Sequence, residues 1–215
     1  MDINWYGHSC FRLTERGMAT VVCDPYDHRT VGYDALKLKA DIVTVSEDLP
    51  EHNFTSAVKG DPYLITGPGE FEIGSVFITG VMTNGVSRKN DEPRNTLYVI
   101  GYNGITVVHL GDIKRVPTQA EVESLGPVDV ALIPVGGNGG LNAAKAAEVI
   151  SLIEPGIVIP MCYSTPASTA SLDPLSKFLK EMGLTEAEVT PTLKIASKGS
   201  IPEETKVMIL DYPHS

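Results

Sequence analysis

The chain has 215 residues, 42% of them hydrophobic and 20% charged, with a formal net charge of -10. A length of this order suits one large domain, here 1–215, with a core that needs no disulfides, and Cys10, Cys23 and Cys162 form no paired short spacing. The acidic balance argues against nucleic acid and membrane partners, and the cysteine usage points to a reducing, cytoplasmic setting.

The start, Met-Asp-Ile-Asn-Trp, has no basic stretch ahead of an apolar one, so no signal peptide is expected. Aromatic and β-branched runs predict strands at Ile3–Tyr6, Cys10–Leu13 and Ala19–Asp24. Tyr33–Lys39 reads as one or two helical turns, Ile42–Ser46 as a strand, and Glu47–Asn53 as an irregular polar segment. Strands resume at Tyr63–Thr66, Glu70–Ile73 and Val76–Val81, with glycines as punctuation. The polar stretch Met82–Arg94 is the longest loop expected, and Asn103-Gly104 predicts a hairpin between Thr96–Gly101 and Ile105–Leu110.

After Asp112 the pattern becomes mixed. Thr118–Leu125 reads as a helix, Val130–Val135 as a buried strand, and Asn142–Ile153 as a helix with Asn142 at its N-cap. A buried strand Ile157–Met161, a helix Leu172–Met182 stopped by Gly183, and strands Thr192–Ala196 and Lys206–Leu210 complete the chain. Strands with helices outside imply sheets packed face to face under helical cover.

Several ordered motifs carry the reading further: Trp5-Tyr6-Gly7-His8-Ser9-Cys10-Phe11, Gly67-Pro68-Gly69-Glu70-Phe71-Glu72-Ile73-Gly74, Asn95-Thr96-Leu97-Tyr98, His109-Leu110-Gly111-Asp112, Ile133-Pro134-Val135-Gly136-Gly137 and Ile159-Pro160-Met161. Together they resemble a bacterial branch of the metallo-β-lactamase superfamily, the one that includes the ascorbate-phosphate lactonase and many predicted zinc-dependent hydrolases. The resemblance implies an α/β, four-layer αββα sandwich with its active site at one edge of the sheets. It also implies a His-x-His-x-Asp-His signature, a third His, an Asp after Leu-Gly and a last His after Ile-Pro-Met. Such residues hold one or two zinc ions that activate water and polarise the substrate.

At the signature this chain reads Ser46-Glu47-Asp48-Leu49-Pro50-Glu51-His52. Glu47 and Leu49 stand in for two histidines and Glu51 for the Asp; His52 and Asp112 are kept. Asn84 falls near the third His, Cys162 replaces the last, and Lys114-Arg115 replace a Gly-His pair. Leu49 has no lone pair, so a first metal site is not expected. The favoured reading is a divergent, metal-free relative that is inactive as a standard metallo-hydrolase, with His8, Glu47, Asn84 and Lys114 as pocket residues; a metal-free small-molecule-binding or scaffold role is a separate alternative. In the favoured reading Lys114 or Arg115 supplies a cation to the crowded carboxylates.

The alternative is one zinc held by Glu51, His52, Asp112 and Cys162, serving hydrolysis of a small ester, lactone or phosphate-bearing substrate. A third reading is metal-free catalysis by paired carboxylates such as Glu47 and Glu51, and the candidate catalytic residues are Asp112, Glu47 and Asp48. His109 reads as packing, and the glycines of 136–140 as a connector or an anion loop. The self-association state is left open.

Overall fold

The computed structural model of the protein describes residues 1–83 and 94–213. Its strands are β1 (Asp2–Trp5), β2 (Phe11–Thr14), β3 (Val21–Cys23), β4 (Leu38–Lys39), β5 (Ile42–Thr44), β6 (Val58–Lys59), β7 (Tyr63–Ile65) and β8 (Gly69–Ile73). They continue as β9 (Val76–Met82), β10 (Thr96–Tyr102), β11 (Ile105–His109), β12 (Val130–Pro134), β13 (Ile157–Met161), β14 (Glu188–Thr190), β15 (Leu193–Lys194) and β16 (Lys206–Leu210). The helices are α1 (His28–Val31), α2 (Gln119–Leu125), α3 (Ala143–Ile153) and α4 (Leu175–Glu181).

Two large sheets form, ordered β15-β1-β2-β3-β5-β7 and β14-β16-β13-β12-β11-β10-β9-β8. In the second, hairpins make β8 to β11 antiparallel, whereas β11, β12, β13 and β16 run parallel. Parallel neighbours need crossover connections, and α2, α3 and α4 lie in those crossovers. Asn142 caps α3 by accepting the Lys145 N–H, as its position ahead of the apolar stripe predicts.

Side-chain alternation explains the layering. Val21, Cys23 and Ile42 join the apolar cluster shared with Ile78, Tyr98, Ile100 and Val107 of the second sheet, while Val22 and Val43 join Tyr26, Val31, Tyr33 and Leu38 on the outer face. The first sheet is thus buried on both faces at its centre, β3 and β5, and the expected mixed α/β sandwich is the fold.

One predicted element is corrected. Tyr33–Lys39 is not helical; the helix is α1, capped by the Asp27 carboxylate and ended by Gly32 in the left-handed region (φ 87°). A side chain at 32 would meet the Ala167 carbonyl at 2.4 Å, so the chain turns there and enters β4. Pro174 also delays α4 to Leu175, three residues after the expected start. Most of the predicted Met82–Arg94 loop, including Asn84, lies outside the described residues, as does His214.

Polar side chains brace the sheets at the end where β3, β5, β11 and β13 finish. Tyr98 on β10 crosses the core to donate to the Val45 carbonyl (2.8 Å), with the Ile65 carbonyl 3.1 Å away. A buried carbonyl that loses its donor costs about 1–3 kcal/mol. Tyr98→Phe is therefore expected to lower unfolding stability in urea by about that amount; an unchanged midpoint would show the brace to be idle.

Candidate metal centre at the carboxyl ends of the strands

Four segments converge here because their strands end side by side: Asp24 after β3, Ser46 and Glu47 after β5, Asp112 after β11 and Cys162 after β13. Asp24 is wholly buried and accepts the Ser46 N–H (2.8 Å), the Ser46 hydroxyl (2.5 Å) and His52 Nδ1 (2.9 Å). Burial opposes its charge, but His109, His52 and Ser46 outweigh that and hold the carboxyl below its ordinary value. Ser9 Oγ lies 2.9 Å from the same Nδ1, so it cannot form a nucleophilic relay through the other ring nitrogen. With Nδ1 engaged, Nε2 is the His52 atom left for the cluster. Burial disfavours a charged His52, but Asp24 foremost, then Asp112 and Glu47, raise its pKa overall.

Glu47, His52 and Asp112 each offer a ligand atom, all within 4.8 Å of one another. Glu47 is 1% exposed, and among the described residues neither carboxylate oxygen has a hydrogen-bond partner. Burial pushes its carboxyl up to about 7, more than Lys114 pulls it down. Lys114 bonds directly to Asp112 Oδ2 and lies 3.7 Å from Glu47 Oε2. Burial disfavours the ammonium, yet these two carboxylates keep its pKa above the ordinary lysine value.

The Asp112 turn is held by Asn95, whose Oδ1 accepts the Asp112 N–H (2.9 Å) and whose Nδ2 donates to Leu110 and Thr83. Gly111 has φ 60°, and a Cβ there would meet Asn95 Oδ1 at 2.3 Å and Ser46 Cβ at 2.5 Å. The sequence marks Asn95 only as the first residue of the Asn95-Thr96-Leu97-Tyr98 motif and gives it no role in the site.

The other expected site residues separate. Glu51 is half-buried on the turn before His52 and is not part of the ligand cluster. Cys162 is buried, and its burial keeps the thiol protonated well above the ordinary range; it too falls outside the cluster. Among the described residues the ligand atoms that gather are those of Glu47, His52 and Asp112, a cluster that shares His52 and Asp112 with the expected set. Asp48 is exposed and accepts from Asn53 (2.6 Å), beside a cavity of about 590 Å³ that Glu47, Leu49, Thr66 and Arg94 also line.

His8 sits next to His52, their ring centroids 5.2 Å apart, and burial followed by the His52 charge push its pKa down to about 3. Its Nδ1 is buried without a partner among the described residues, while its carbonyl accepts from Trp5 Nε1 and from the Cys162 N–H. His8, Asp24 and Cys162 all hold positive φ (50°, 44°, 51°), strain that gathers around this cluster. His109 is structural: Nε2 donates to the Ser9 carbonyl and Nδ1 accepts from Gly111.

The glycine loop also serves packing. A Cβ at Gly140 would meet Asp112 Oδ1 at 2.8 Å, and one at Gly136 the Cys162 carbonyl at 2.0 Å. A loop pressed against a carboxylate is a poor anion site. Arg115 does not supply the cation; it is taken up by Glu121 (2.7 and 2.8 Å) and the Thr83 carbonyl.

Lys114 alone of the two expected cations thus faces the carboxylates. In chelated protein, Lys114→Met is expected to lower stability by about 1–2 kcal/mol at pH 7.5, where Glu47 carries charge, and by less at pH 4.5, where it is neutral. Unfolding in urea at both pH values measures this, and equal losses would mean the ammonium does not compensate Glu47.

A family model described as a β-lactamase superfamily domain matches residues 2–162. A UPF0173 protein of Pyrococcus furiosus is 28% identical over 211 residues, covering 85% of this chain and 90% of its own. A UPF0173 metal-dependent hydrolase of Lysinibacillus sphaericus is 25% identical over 198 residues, covering 77% and 86%. The crystal structure of a candidate zinc-dependent hydrolase of the metallo-β-lactamase superfamily from Thermotoga maritima matches with TM-score 0.81 and 34% identity over 99% of both chains. On fold, motif order and these matches together, the chain belongs to the metallo-β-lactamase superfamily.

Proposed function

We propose that this protein is a hydrolase with a single divalent metal, held by Glu47, His52 and Asp112, acting on a small molecule bound in the adjoining cavity. The observation that carries the reading is Glu47: a buried carboxylate whose two oxygens lack hydrogen bonds, within ligand distance of an imidazole and a second carboxylate. A buried carboxylate so placed calls for a cation. Two carboxylates and one imidazole form a donor set that zinc and similar ions accept, with a coordination position left open. The expectation of a metal-free protein gives way to this one, which the metal-dependent hydrolase relatives also support.

One metal is favoured over a pair. Leu49, which borders the cavity, has no lone pair to offer a second ion. When bound, a divalent cation would polarise the scissile carbonyl or phosphoryl oxygen and acidify a water. The protein's own groups do the positioning. Asp24 fixes the His52 tautomer by accepting from Nδ1, and Asn95 fixes the loop that carries Asp112. Thr66 and the Gly67-Pro68 turn shape the cavity, while Arg94 and Asp48 set its polar rim. An ester, a lactone or a phosphate-bearing compound is the substrate class proposed.

Protein purified without chelator, offered zinc and dialysed, is expected to retain about one zinc per chain by plasma mass spectrometry. Glu47→Gln and Asp112→Asn should each lose it. Asp24→Asn should weaken retention about 10–100-fold while keeping the ligands themselves, as loss of an orienting partner does. A wild-type protein that keeps no zinc, cobalt or manganese overturns the reading. Retained metal then justifies an ester, lactone and phosphoester screen.

A further inference from the structure

Lys114 stands in an unusual relation to the proposed ligands. Its ammonium bonds to one carboxylate and lies 3.7 Å from the other, the same pair that would hold the metal with His52. A divalent cation and an ammonium a few ångströms apart repel, so each weakens the other's hold on the shared carboxylates.

The geometry points to Lys114 as a tethered cation that competes with the metal for Glu47 and Asp112, so that metal capture expels its side chain from the cluster. This deepens the single-metal reading and rests on it. Three features make the exchange feasible. The Lys114 side chain is 29% exposed, so it has a route to solvent. It lies two residues beyond Asp112 on one turn, so it moves by rotating its own flexible stem with no change of fold. Its neighbour Arg115 is pinned to Glu121 and the Thr83 carbonyl, which anchors the backbone while the lysine swings.

With the metal absent, the ammonium compensates two carboxylates that would otherwise repel. With the metal present, it becomes a free amine-bearing chain at the edge of the site. Weak metal sources are thereby rejected, because any ion must outcompete a charge already attached to the protein.

Two experiments test this. In a zinc titration against a chromophoric chelator, Lys114→Met is expected to bind zinc at least about tenfold more tightly than wild type. Equal or weaker binding overturns the competition while leaving the metal centre standing. Absence of zinc on both proteins overturns the metal centre and this inference with it. The second experiment uses the unaltered protein, so it does not depend on how the variant folds. Acetylation of Lys114, read by peptide mass spectrometry, should rise severalfold when zinc is added, with Lys177 as the internal control. Labelling of Lys114 that zinc leaves unchanged overturns the expulsion.

Discussion

Asp24 is a fully buried carboxylate whose charge must be answered inside the protein, and the site is arranged around that demand. Its two oxygens tie the end of β3 to Ser46 beyond β5 and to the turn that carries His52. Three segments distant in sequence are held in register by one group, which takes a positive φ to reach them. The fold supplies this meeting point: β3 and β5 are parallel neighbours, so their carboxyl ends open on the same edge. The second sheet brings the ends of β11, β12 and β13 to the same place by its own parallel run.

Around that anchor, charge decides what each residue does. Glu47 and Asp112 sit close enough to repel, and burial of Glu47 removes water that would screen its charge, while Asp112 keeps partial exposure. Two answers are available, an ammonium from the chain or a metal ion from solution. At 3.7 Å and an effective dielectric constant near 20, a lysine–carboxylate attraction is about 4 kcal/mol. Partial desolvation of the ammonium, whose side chain is 29% exposed, offsets part of that gain, and its direct bond to Asp112 adds to it. A divalent ion carries twice the charge and competes for the same two carboxylates.

Much of the fold was legible in the sequence because it depends on short-range pattern. Strand and helix periodicity, the Asn103-Gly104 turn and the Asn142 cap each act within a few residues. The helix expected at Tyr33–Lys39 failed for a tertiary reason: that segment covers the outer face of the first sheet, and Gly32 turns it against the 167–169 segment. The site was half legible. His52, Asp112, Lys114 and Glu47 could each be read from motif position, but the grouping of the Glu47 carboxylate with His52 and Asp112 could not. The deciding fact is the direction of the backbone after Ser46, which Asp24 and the Thr96 N–H bond to the Ser46 carbonyl jointly set. No spacing in the sequence encodes that turn.

The change from histidines to acids alters the chemistry of the site as well as its ligand count. A neutral imidazole brings no charge, whereas an ionised Glu47 brings one that burial resists, so this centre depends more on a proton or a nearby cation than a histidine site does. Cys162 is buried outside the cluster of ligand atoms and adds no sulfur to it. The donor set is therefore oxygen-rich, with one imidazole held by Asp24. Such a set relaxes the preference for zinc that sulfur and nitrogen ligands impose and admits harder ions, manganese among them. Under the single-metal reading, selectivity would then pass from the ligands to whatever limits entry, and the group beside Asp112 that could do so is Lys114.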